Sequence, residues 1–239
     1  MKEKEGDFTK LIRNRLFGPG MGVTEPPPKE GIRRFGFLLW THMWKLITLN
    51  LLFLLFCIPV ITIPAALCGV NRVLIKLWRN GNCFLWSDFW KEFKANFFKA
   101  MPFGGMGALL LFACYYFFSL SISYGESFGL FTAVIGFSLL GFAVIFLSYV
   151  FVFLPTLALK NKHIAKNALI LTIMEWKTNL LILGCTALVA FVAAAFFPYT
   201  IILLVFIWFS IFQFIVCAAV NGPLQRRIIG PYEQEKEGN

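Results

Sequence analysis

Few residues in this chain are equipped for chemistry. There is no glycine-rich loop ending in Lys and Ser or Thr to cradle a phosphate, no His-Glu-x-x-His zinc pair and no Gly-x-Ser-x-Gly nucleophile elbow. The two histidines, His42 and His163, abut basic segments rather than a cluster of acids or nucleophiles. Of the six cysteines, Cys57, Cys68, Cys114, Cys185 and Cys217 lie in apolar runs and Cys83 sits alone in a basic loop, with neither metal-ligand nor disulfide spacing. The expectation is a protein that is not an enzyme, with no catalytic residue, no metal and no cofactor. What remains is polar rather than reactive. Asn50, Thr62, Asn71 and Arg72 are grouped about two prolines, Pro59 and Pro64, and this set is the candidate slot for a partner or for internal bonding. A second set, Trp86, Trp90, Lys91 and Lys94, combines amphipathic rings with cations and is the candidate interfacial contact.

The elements that must position these residues are apolar helices. All 22 Lys and Arg fall within residues 1 to 45, 71 to 99, 156 to 178 and 221 to 239, and no charged residue or histidine lies in 102 to 124, 130 to 155 or 179 to 220. A charge at the bilayer centre costs roughly 2.5 to 3.5 kcal/mol on insertion scales, and cationic loops stay on the cytoplasmic side. The charge-free stretches are therefore expected in lipid. Composition agrees: 59% hydrophobic residues, 29 Phe and a mean hydropathy of +0.74 leave too little polar surface for a soluble globule. The net charge of +10 is assigned to anionic lipid and topology, not to nucleic acid, because the cations flank apolar spans and are mixed with Trp and Phe. Residues 1 to 28 contain no apolar h-region, so a cleavable leader is not expected.

The predicted fold is all-α, a polytopic membrane helical bundle. A polar segment over 1 to 31 with a Gly/Pro-rich linker precedes a single transmembrane domain over 32 to 239, with spans at about 46–70, 102–124, 130–155, 179–197 and 199–220. The second and third spans form one long hairpin around residues 124 to 129, and the last two form another around Pro198. Both turns lack cations and face outward, which places the N- and C-termini in the cytoplasm. The first stretch reads two ways. A proline-broken hairpin with its tip at 59 to 64, or one kinked crossing, fits the sequence. In a hairpin Asn50 and Asn71 stand at similar distances from the tip and meet across the arms. They would then either receive a partner helix or make a structural hydrogen bond worth roughly 0.6 to 2 kcal/mol. Amphipathic basic helices over 87 to 99 and 163 to 177 precede the two long hairpins and are expected to lie flat with apolar faces in the headgroup boundary. Gly104 with Ala108 is a small pair that allows close helix approach.

Taken in order, Gly18-Pro19-Gly20, then residues 44 to 52 (WKLITLNLL), Pro59-Val60-Ile61-Thr62 and residues 86 to 97 (WSDFWKEFKANF) resemble the YesL-type family of bacterial membrane proteins, a domain of unknown function. The resemblance is specific over 18 to 101. A glycine that relatives commonly carry after the isoleucine of the tip is missing here, where Pro64 follows Ile63. The resemblance implies a plasma-membrane protein of the kind often encoded beside carbohydrate ABC importers and glycan-degrading enzymes. Together with the uncharged spans, it supports a non-catalytic accessory or regulatory partner of such an importer, contacting the lipid bilayer and ABC permease subunits. Two alternatives stay open: a small oligomeric solute channel or transporter with Ser119, Ser121, Ser123, Gln213 and Asn50 along its path, and a lipid-interacting membrane protein. Oligomeric state is not legible.

Overall fold

A computed structural model describes residues 31 to 124, 126 to 197, 199 and 204 to 230. The expected Gly/Pro-rich N-terminal segment before residue 31, Pro198 of the outer turn and the chain after residue 230 lie outside these residues. The described chain is helical throughout, with no strand. It runs α1 (Ile32–Thr41), α2 (Met43–Cys57), a 3-10 turn (Val60–Thr62), α3 (Ile63–Asn80), α4 (Leu85–Ser123), α5 (Glu126–Phe153), α6 (Asn161–Met174) and α7 (Trp176–Ala195). A π turn (Leu204–Trp208), α8 (Phe209–Leu224) and a second π turn (Gln225–Ile229) complete it. Five stretches are long and apolar enough to cross a bilayer: Val60–Asn80, Leu85–Ser123, Ser127–Phe153, Trp176–Ala195 and Phe206–Ile229. The chain is thus an all-α membrane protein.

The first apolar stretch breaks where its prolines require. Pro59 cannot donate a backbone hydrogen bond and is itself extended (φ −79°, ψ 105°), so α2 stops at Cys57 with Ile58 still in the helical region. The Thr62 hydroxyl donates to the carbonyls of Phe56 and Pro59, and the Thr62 backbone N–H also bonds Pro59 O at 2.9 Å. Pro64 lies in the first turn of α3, where a missing N–H is harmless. At the far end Lys45 Nζ donates to Asn82 Oδ1 at 2.6 Å, so the start of α2 and the end of α3 meet. Gly81 then closes α3 in the left-handed region (φ 72°), its N–H bonding Leu77 O, a conformation that disfavours any side chain.

Helix α3 is the hub. Its buried face includes Ala65, Ala66, Val70, Val73, Leu74 and Leu77, and it runs antiparallel to α4. Arg72 pairs with Glu92 and Lys76 with Asp88 along the seam, and a Cβ placed on Gly104 would stand 2.2 Å from Pro64 Cγ. Gly104 of the expected small pair therefore packs against this chain's own Pro64. Phe56 of α2 meets Phe89, Trp90 and Phe93 of α4, and Phe53 stacks on Phe209 with ring centroids 4.0 Å apart.

Two expectations are corrected. Residues 87 to 99 are not a separate interfacial helix; they form the first turns of the 39-residue α4, which continues through Pro102. Their apolar stripe does not dip into headgroups either, because Phe89 and Phe93 are buried against α2 and α3. A stripe satisfied by protein has no need of lipid. The second basic helix ends at Met174, with α7 beginning at Trp176, although Ile164, Ala168 and Leu171 are buried at the expected spacing. An element not anticipated is α1, which meets α2 at 77°. Its start carries Arg33 and Arg34.

Candidate functional site: a buried amide lattice and a basic aromatic groove

Asn71 and Arg72 act on the end of α5. The last four carbonyls of an α-helix have no internal partner and carry the negative end of its dipole. Asn71 Nδ2 donates to Phe151 O at 2.9 Å, and Arg72 Nη1 donates to Pro155 O at 3.0 Å. The same asparagine accepts through Oδ1 from Gln213 Nε2 at 2.7 Å and from Cys217 Sγ at 3.3 Å. Asn50 Oδ1 accepts the backbone N–H of Ser210 at 3.1 Å, at the junction of the π turn with α8. Asn50, Asn71 and Ser210 are fully buried, and Gln213 nearly so. Asn50 and Asn71 thus each bond this chain's own α8, the first through Ser210 and the second through Gln213 and Cys217. Thr62, Pro59 and Pro64 belong to the tip, beside the exposed Ile58, Val60 and Ile61, and take no part in the lattice.

The C-terminal end of α3 is tied in the same manner. Arg34 Nε and Nη2 donate to the carbonyls of Trp78 and Arg79, and the guanidinium lies 5.6 Å from the Trp78 ring centre. Arg79 Nε donates to Asn221 Oδ1 at 2.7 Å. A third link, Tyr149 Oη to Asn179 Oδ1 at 3.0 Å with Asn179 Nδ2 to Thr172 O, joins α5, α6 and α7. Sequence reasoning reached Asn50, Asn71 and Arg72 but passed over Arg34, Arg79 and Asn179, and treated Gln213 as channel lining. A polar side chain alone in an apolar run was the available sign for Asn179 and Gln213.

The second candidate set comes together on the outer side of α4. Trp86 and Trp90 stack with centroids 6.0 Å apart, Lys94 Nζ stands 4.6 Å from the centre of the Trp90 ring, and Lys91, Ser87 and Ala95 complete a shallow open groove. The carboxylates of the same turns point the other way. Asp88 Oδ1 takes Lys76 Nζ at 2.8 Å and its Oδ2 accepts the Phe84 N–H, while Glu92 takes Arg72 and Asn96. The outward face is left cationic.

Reactive groups stay apart from both sets. Cys83 is buried in the turn between α3 and α4; burial pushes its thiol up to about 11, Asp88 adds to the rise, and Lys45 and Lys76 oppose it. His42 is buried at the α1–α2 bend, and His163 is exposed in α6. Among the described residues no group of His, Cys, Asp and Glu could hold a metal ion.

No curated protein and no solved structure matches the chain. Residues 46 to 118, which run from α2 through the α3 hub into α4 and so carry both candidate sets, match the family described as protein of unknown function, DUF624.

Proposed function

We propose that this chain is a non-catalytic accessory or regulatory protein of the plasma membrane, partnering a carbohydrate ABC import system. The observation that carries the reading is how the interior polar groups are used. Asn71, Arg72, Gln213 and Arg79 are bonded to helix ends and to one another, so they hold helices in place rather than line a path or meet a substrate. Such a molecule acts through its surface. In this reading, supported by the distribution of cations, both termini lie in the cytoplasm, α2 and α3 form a hairpin beside the first turns of α4 on that side, and α4 with α5, and α7 with α8, are the long hairpins. The importer itself is suggested by the YesL-type resemblance over residues 18 to 101.

Deletion of the protein in its native host, with sugar uptake and permease abundance measured on a complex glycan, tests the reading. Both are expected to fall, and crosslinked co-purification is expected to recover an ABC permease pair. Unchanged uptake and unchanged permease abundance would overturn it.

A further inference from the structure

The groove on α4 stands off the membrane. At 1.5 Å per residue the 39 residues of α4 extend about 58 Å, roughly twice the 30 Å hydrocarbon thickness. The helix ends at Ser123 and α5 begins at Glu126, so the surplus cannot sit at that end and falls almost wholly at the Leu85 end. Charge marks the same boundary: Lys91, Lys94 and Lys99 are exposed, and Lys99 is the last cation before the apolar run. With the ordinary tilt of about 20°, the hydrocarbon begins near residue 102 and Trp90 lies about 17 Å beyond it. The headgroup layer is only about 5 to 8 Å deep on each side. Lys94, folded back over the Trp90 ring, points further away from the bilayer.

We propose that this face is a docking groove for an acidic segment of a partner protein at the basic side of the membrane. It rests on the accessory reading above and supplies its contact surface. Charge selects the occupant. Asp88 and Glu92 are spent on Lys76 and Arg72 of α3, which leaves Lys91, Lys94 and Lys99 facing outward with no acid among them. The paired Trp86 and Trp90 rings, partly exposed beside these cations, offer flat apolar ground for one aromatic or aliphatic anchor. Carboxylates flanking such an anchor complete the complement. Phospholipid headgroups carry suitable charge but do not reach this depth.

The full-length protein in its native membrane provides the test, with Ala95 in the groove replaced by photoreactive benzoylphenylalanine and Leu109, exposed on the apolar part of α4, replaced likewise as a control. Position 95 is expected to crosslink one discrete protein through a peptide of net negative charge. The yield should fall roughly tenfold in the Lys91→Glu/Lys94→Glu variant while lipid adducts at position 109 persist. If the double variant loses the position 109 adducts, Lys94→Gln is read instead, with a severalfold fall expected. Adducts to lipid alone, no protein adduct, a joined peptide without acidic excess, or a yield that survives removal of the charge would each overturn the groove. The two readings fail separately: an acidic partner that is not an ABC permease retires the importer and keeps the groove, and a permease that still co-purifies after charge reversal does the opposite.

Discussion

The chain builds two kinds of helix packing. In the most apolar 18 residues of Val60–Asn80, 61% is buried by protein, and amides, guanidiniums and aromatic rings lock α1, α2, α4, α5 and α8 around α3. In the most apolar 18 residues of Leu85–Ser123 and of Trp176–Ala195 only 11% is buried, and Leu109, Phe112, Leu188 and Phe191 are exposed on these helices. The difference teaches where sequence apolarity is spent. The hydrophobic residues of α3 form a protein core, whereas those of the distal halves of α4 and α7 have lipid as their partner, so similar hydropathy serves two solvents.

Overfilling the hub should have the largest effect. A Cβ on Gly69 would already lie 2.7 Å from Phe89 Cδ2 and 3.0 Å from the Phe89 carbonyl oxygen. Gly69→Leu is therefore expected to cost about 3 kcal/mol, because backbone on the far side cannot retreat as a side chain would. Loss of a monodisperse species in detergent would register it; an unaltered melting profile would show that the helices are not packed this closely.

Cys83 sharpens the boundary of the packed region. A thiol raised to about 11 is one part in roughly a thousand thiolate at pH 8, against about one in four for an ordinary cysteine. Maleimide labelling of Cys83 should run roughly 200-fold slower than that of a free thiol, rising about tenfold per pH unit until pH nears 11. Labelling at the free-thiol rate in the folded protein would mean that the turn between α3 and α4 is open.

Removing the lattice's central amide comes next. Asn71→Leu leaves Gln213 and the Phe151 carbonyl without the partner shown for them and is expected to cost about 1.5 kcal/mol in thermal unfolding. At the other extreme Leu109→Ala, on a 71% exposed residue, should change stability by less than about 0.5 kcal/mol. A larger loss at Leu109 would show that another protein surface covers this helix.

Much of this was legible because charge and proline act locally. The cation-free stretches located the apolar helices, and Pro59 with Pro64 located the break between α2 and α3. Asn50 and Asn71 stood out as isolated amides in apolar runs. Their engagement by α8 was not legible, since Ser210 and Gln213 are 160 and 142 residues away in sequence and only tertiary packing brings them near. The helical stripe of Phe89, Phe93 and Phe97 was read correctly, but periodicity names a face without naming what covers it. Here α2 and α3 cover most of it, and lipid had been expected. Pro102 lies inside the continuous α4: proline removes one backbone bond, and Gly104 beyond it packs against Pro64 of α3.

On the docking-groove proposal the first turns of α4 stand clear of the bilayer with a cationic aromatic face, while the same helix is lipid-bound further on. Spin labels placed singly at Ser87, Ala95, Leu109 and Phe112 of the reconstituted protein, read for collision with a water-soluble nickel complex and with oxygen, test it directly. Positions 87 and 95 are expected to favour the nickel complex, and positions 109 and 112 to favour oxygen. Oxygen-dominated collision at 87 and 95 would put those turns in lipid and contradict the account.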